Sequence, residues 1–429
     1  MKTFLRDLKA FWVLDSRSNP ALEVWAFLER NGSMYYDNFI VPSGASTGDF
    51  EALELRDNDQ NFHGKGLSKA IQSVYYIRDR LKDQVVDDLF EVDRKIRELD
   101  GTENKSRLGA NAILGVSVSI AKALSKSYNL PFFKYISLLS GSTKYFLPVP
   151  FMNIINGGVH ADNQLDFQEF MICPINFDSF SEALKAGSEI YNHLKKILKQ
   201  DGHSVSVGDE GGFAPNIDCP FVACDYILKA IEKAGYTDKV FIALDVAASS
   251  MYKDGKYAYK NSYISSEQLS EIYSQLIEKY PIISIEDPFD QEDWQAWIKF
   301  TQKYGNRIRI VGDDLFVTNT KRLSKGIELK AANSILIKLN QIGTLTETID
   351  AINLANSNNF SCIISHRSGE TEDNTISHLA VNISYCIKSG APARSERNSK
   401  YNELRRIEEF YNIPYISNKF FVQALVSKI

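Results

Sequence analysis

The sequence predicts an α/β fold in which a smaller N-terminal α+β domain precedes a C-terminal β/α barrel of the TIM type. Short runs rich in β-branched residues recur, each with a charged or polar side chain at its end: EFMIC beside Glu169, VSVGDE with Glu210, VFIALD with Asp245, IISIED with Glu286, IRIVGDD with Asp313, ILIKLN with Lys338 and CIISHRS with His366. Successive spacings are 41, 35, 41, 27, 25 and 28 residues. A buried strand, a helix and two short connections take roughly 22 to 30 residues, so each of the last three intervals holds one βα unit. Amphipathic segments such as SEQLSEIYSQLIEKY and TLTETIDAINLANSN lie between the runs, as a parallel sheet covered by helices requires. The competing open sheet normally carries a G-x-G-x-x-G turn after its first strand, which this sequence lacks.

In chain order, residues 22–28 and 39–41 read as strands of a small meander with a turn at Asn31 and Gly32. Apolar residues spaced three and four apart over 67–99 and 111–124 predict helices with one buried stripe. The N-terminal domain is therefore expected over 1–137, with a mobile loop at 42–48. Gly141, Pro148 and Pro150 mark a linker over 138–147, and the barrel fills 148–429. In a closed barrel the carboxyl ends of the strands share one face, where the polar run endings would converge.

Composition bounds the function. The 429 residues carry 49 Lys and Arg against 54 Asp and Glu, a net charge of −5, which predicts no general affinity for nucleic acid. Five scattered cysteines without a C-x-x-C pair argue against a disulfide framework or a thiolate zinc site. Arg6, Asp7 and Lys9 interrupt the apolar residues of the first segment, and no apolar run reaches eighteen residues. No membrane association and a cytoplasmic location are expected.

Asp245, Glu286 and Asp313 follow successive apolar runs, where three converging carboxylates would repel one another unless they held a cation. Hard oxygen ligands of this kind suit Mg²⁺; capping the following helices is the alternative use of each acid. Lys338 lies inside a core strand, where burial and nearby cations lower an ammonium's pKa and make it a candidate base. Pairing with one of the acids is its alternative. His366, Arg367 and Ser368 form a donor cluster suited to phosphate or carboxylate, and Lys388 ends the next short apolar run. PSGASTG (42–48) resembles a phosphate-cradling loop without the ending of a nucleotide P-loop. NGGVH places His160, and GDEGGFAP places Glu210, among glycines that permit close backbone approach.

Taken together and in order, DSRSNP, VPSGASTG, ELDGTENKSRLGANAILGVS, IINGGVHADN, QEFMI, VGDEGGFAPN, SIEDP, VGDDL, KLNQIGT, SHRSGETED and RSER resemble the enolase family over about residues 10 to 410. The resemblance implies an irregular barrel with an αβ start and reversible dehydration of 2-phospho-D-glycerate to phosphoenolpyruvate. It implies two Mg²⁺ per site, the second arriving with substrate. Asp245, Glu286 and Asp313 match the ligands of the first ion and Ser46 a ligand of the second. Lys338 matches the base and Glu210, with Glu169 beside it, the acid that protonates the leaving hydroxyl, the two sharing a proton so that one pKa rises. His160, Gln168, His366, Arg367, Ser368 and Lys388 match substrate contacts. A homodimer or higher homo-oligomer is implied as well, with surface exposure resting on family analogy only.

Several residues depart from the family pattern. Ser18 replaces a usual glycine and Ala21 a usual threonine; His378, Asn382 and Cys386 are unusual, and the run from His366 to Lys388 is one residue short, which would displace Lys388. These motivate two other readings, a divergent enolase paralogue acting on a related phosphorylated or phosphonate carboxylate, and a non-catalytic binding or scaffold protein.

Overall fold

Asn31 and Gly32 both adopt positive φ, 54° and 76°, the geometry of a two-residue turn that matches strand twist. They join β2 (Pro20–Arg30) to β3 (Ser33–Ile40), and β1 (Thr3–Leu14) pairs with β2 to complete an antiparallel meander. β1 adds a strand to the two expected from the sequence. The computed structural model describes residues 2–44, 48–381 and 383–416.

One face of the meander packs on α1 (Ser68–Leu81), which buries Ala70, Val74, Ile77 and Leu81 at helical spacing. α2 (Leu89–Asp100) starts on Asp88, whose side chain accepts from two backbone N–H groups, and stops at left-handed Gly101. α3 (Ala110–Ser127) is buried almost all round because it wedges between the meander and the barrel. α4 (Phe132–Ser140) ends on Gly141 at φ 72°. Helix therefore extends through the first three residues of the expected linker.

The barrel opens with β4 (Val149–Asn156) and β5 (Glu169–Pro174), an antiparallel pair, then α5 (Phe180–Gln200), α6 (Pro220–Ala234) and β6 (Val240–Asp245). This ββααβ start replaces the expected αβ start. β7 (Tyr252–Lys253), β8 (Lys256–Tyr259) and β9 (Ser262–Ile264) form a small sheet that accounts for the long interval before Glu286. Regular units follow: α7 (Ser266–Lys279), β10 (Ile282–Glu286), α8 (Trp294–Tyr304), β11 (Arg309–Gly312), α9 (Thr320–Leu329), β12 (Ser334–Ile337), α10 (Leu339–Ile342), α11 (Leu345–Ser357), β13 (Ser361–Ser365), α12 (Thr375–Ala380), β14 (Cys386–Lys388) and α13 (Ser395–Tyr411).

The closed ring runs β10-β11-β12-β13-β14-β4-β5-β6. Two expectations change. VSVGDE is not a strand: Val207 is 42 % exposed, and residues 205–210 lie in the connection from α5 to α6 with a single isolated bridge, Val207 to Phe213. The missing stave is β4, whose every residue is buried and whose Pro150 reads as linker in the sequence. β5 alone runs against the other staves, so Glu169 reaches the common face from a strand's start. No described helix is long and apolar enough to cross a membrane.

Ser18 stands at φ 60°, a conformation that costs a side chain roughly 1 kcal/mol. The Asp15 carboxylate accepts from Arg17 N and Asn19 N on either side and holds the turn.

Between the domains, the buried Asp93 Oδ2 accepts from Ser117 Oγ (2.9 Å), Thr346 Oγ1 (2.8 Å) and Thr346 N (3.2 Å), while Oδ1 has no partner. Burial raises its pKa to about 6 despite these bonds. A raised carboxyl pKa contributes stability in full below the unfolded value near 4 and loses it as pH climbs through 6. Replacing Asp93 with Asn should remove that loss. Denaturant unfolding should show the Asn variant gaining about 3 kcal/mol on the wild type between pH 4 and pH 8; a pH-independent difference would refute a protonated Asp93.

Candidate active site

The staves bring the polar residues to one cavity, lined by His160, Gln168, Glu169, Glu210, Asp245, Asp287, Asp313, Asp314, Lys338, His366, Arg367, Ser368 and Lys388 among others. Glu286 lies beside it, 2 % exposed. Backbone register sets the level: Asp245 pairs with Glu169 on one side and Glu286 on the other, and Lys388 pairs with Ser365 and Phe151. The run from His366 to Lys388 delivers Lys388 to the cavity.

Two ammonium groups divide the three predicted metal acids. Lys388 Nζ lies 2.8 Å from Asp245, 2.9 Å from Glu286 and 3.2 Å from Glu169. Lys338 pairs with Asp313, whose other oxygen accepts from Gln341 Nε2 at 2.8 Å. Burial alone would lower the Lys338 pKa as the sequence reading expects, but the Asp313 carboxylate raises it overall. Lys388 is likewise disfavoured by burial and held well above its ordinary value by Asp245, Glu169 and Glu286.

The acids divide too. Burial, then repulsion from Glu210, pushes Glu169 well up. Glu210 is disfavoured by burial yet held well below its ordinary value by His366 and His160. The raised member of the expected pair is therefore Glu169. His160 Nδ1 lies 3.7 Å from both carboxylates, and Asn153 Nδ2 donates to Glu210 at 3.1 Å. Burial also raises Glu286 and Asp287 well above the usual carboxylate range, and Asp314 to about 7.

Arg367, expected to face phosphate, makes a bidentate pair with Glu51 of the N-terminal domain at 2.9 and 3.2 Å. Ser43 and Gly369 exchange two backbone hydrogen bonds, which ties Ser43 to the His366 loop; residues 45–47 of the expected loop 42–48 lie outside the described residues. Arg17 reaches Ser43, Gly44 and Ser368 across this junction. Ser46 lies outside the described residues, as does Asn382. His378 packs on Phe132 and faces Glu403 at 3.4 Å, away from the cavity.

Family models match both parts of the chain: the enolase N-terminal domain over residues 5–136 and the enolase C-terminal TIM barrel domain over 144–420. The chain belongs to the enolase family. Enolase-family domains generally bind Mg²⁺, and the donor chemistry fits: the acids at the cavity are hard oxygen donors, buried, and more numerous than Lys338 and Lys388, which face them. Among the described residues, potential ligand atoms converge in two groups, His160–Glu169–Glu210 and Asp287–Asp313–Asp314. Asp245, Glu286 and Asp313 share the cavity region but do not form one such group: Asp245 and Glu286 meet Lys388, and Asp313 meets Lys338.

Sequence reasoning missed Asp287, Asp314, Glu51 and Asn153. Asp287 was legible as the second acid of SIEDP. Its two oxygens accept from the backbone N–H groups of Asp313 and Asp314, both at 2.9 Å, and so aim the Asp313 side chain.

The Glu210 loop depends on close approach at Gly208, where an added Cβ would lie 2.5 Å from the His160 carbonyl oxygen and 2.8 Å from Asn156 Cβ. Gly208→Ala should cost roughly 1–3 kcal/mol of unfolding free energy through overpacking. Gly202→Ala, with open space around it but φ +80°, should cost roughly 1 kcal/mol. Equal losses in chemical denaturation would refute the packing argument.

Proposed function

We propose that this enolase-family chain catalyses the reversible loss of water from 2-phospho-D-glycerate to give phosphoenolpyruvate. The observation that carries the reading is the disposition of Lys338 and the Glu169–Glu210 pair. Lys338 follows β12 and Glu169 begins β5, four places apart in a ring of eight staves. A substrate in the cavity then meets an amine on one side and a carboxyl pair on the other, the layout that removal of a proton and departure of a hydroxyl from opposite faces requires.

Lys338 Nζ takes the proton beside the substrate carboxylate. To accept it the amine must be neutral, and burial with the charges of Arg367 and Lys388 favours that form while Asp313 opposes it. Glu169 and Glu210 hold one proton between them and pass it to the departing hydroxyl. Lys388 Nζ supplies fixed positive charge near the substrate carboxylate, and the buried His366 loop orients the phosphate. Asp245, Glu286 and Asp313 would hold a Mg²⁺, which when bound supplies the further positive charge that a doubly ionised carboxylate needs.

Purified protein with Mg²⁺ and 2-phosphoglycerate should generate phosphoenolpyruvate absorbance, and chelation should abolish it reversibly. No turnover would reject the reading in favour of a divergent substrate or a binding role. Lys338→Ala should reduce exchange of the C2 proton with solvent by about 10²–10⁴-fold. Glu210→Gln should preserve exchange and suppress elimination; equal loss of both steps would deny the two groups separate roles.

A further inference from the structure

Arg397, in the first turn of α13, is fully buried. Its Nη1 donates to His366 Nδ1 at 2.8 Å and to the Arg367 carbonyl at 2.8 Å; its Nη2 donates to the carbonyls of Ser368 at 2.6 Å and Asp209 at 3.0 Å. Gly390 makes room for it, since a Cβ there would meet Arg397 Cδ at 2.9 Å and the Glu210 carbonyl oxygen at 2.7 Å.

A guanidinium has donors and no acceptor. His366 Nδ1 must therefore present its lone pair, and the ring's single proton sits on Nε2. That nitrogen lies 3.4 Å from Glu210 Oε1, so its N–H faces the acid at the cavity wall. Burial, aided by the charge of Arg397 and opposed by Glu210, lowers the His366 pKa to about 4, in agreement with a neutral ring. The same guanidinium joins residues 366–368 to Asp209, the neighbour of Glu210.

We propose that Arg397 is a positioning residue that fixes His366 as the Nε2–H tautomer and holds it against Glu210, so that acid and imidazole face the leaving hydroxyl as one unit. The kinetic consequence rests on the dehydration reading; the tautomer does not.

Nitrogen NMR of protein labelled in its histidine rings tests this directly, with the His366 signals assigned by their loss in His366→Gln. Wild-type His366 should show an unprotonated Nδ1 and a protonated Nε2 at neutral pH. A protonated Nδ1 overturns the proposal whether or not any variant folds. In Arg397→Lys, which offers one donor centre in place of a fork, the ring should populate both tautomers, and kcat should fall by about 10–100-fold with KM nearly constant. Repeating the substitution in the His366→Gln background should cost little more, since both changes act through one unit.

Additive losses, an unchanged kcat, or a KM effect alone would reduce Arg397 to a loop tie and overturn the proposal. Should the wild-type protein fail to turn over 2-phosphoglycerate, the dehydration reading falls by itself, while the ring spectra still decide the tautomer.

Discussion

The site is governed by the cost of burying carboxylates together. Glu169, Glu210, Asp245, Glu286, Asp287, Asp313 and Asp314 lie at one end of the barrel, and most are nearly inaccessible to water. In low dielectric such a group persists only with compensating charge, hydrogen bonds or a proton. All three devices are present. Lys388 and Lys338 supply charge, the N–H groups of residues 313 and 314 supply hydrogen bonds to Asp287, and Glu169 is pushed toward its protonated form. A divalent cation would relieve the same strain more completely, which is why the donor set fits one.

Ring order converts that electrostatic problem into a layout. Asp245 and Glu286 end β6 and β10 and Asp313 follows β11, three neighbouring staves, and Lys338, the His366 loop and Lys388 follow on the next three. Glu169 closes the circle on β5. Acids for a cation, an amine, anion donors and an acid pair thus occupy successive sectors around one cavity. The reversed β5 places a strand's first residue, rather than its last, at the shared face, and Glu169 consequently registers with Asp245 instead of standing one level away.

Much of this was legible in the sequence because buried strands and their charged endings contrast sharply. The runs ending at Asp245, Glu286, Asp313, Lys338 and His366 all became staves at those positions. Errors arose where that contrast misleads. Pro150 sits inside β4, whose missing N–H at that point resembles a linker signal, and VSVGDE alternates apolar residues without burying them. Partners across domains leave no local trace: nothing near Glu51 announces Arg367, which is 316 residues distant. Of the two readings of Lys338, a lowered pKa or pairing with an acid, the second holds, and its partner Asp313 is one that residue spacing alone does not single out.

The N-terminal domain is best understood through these long-range contacts. Arg367 is held by Glu51 and by Asn340 at 2.9 Å, while the exchanged hydrogen bonds of Ser43 and Gly369 fasten the next residues of the same loop. From the other side, Arg397 grips the carbonyls of Arg367 and Ser368. The donor loop after β13 is therefore clamped between the meander domain and α13, with its backbone carbonyls satisfied away from the cavity. Preorganisation of this kind removes the cost of ordering donors when a ligand arrives, and it ties the barrel's chemistry to a domain that contributes no stave to the ring.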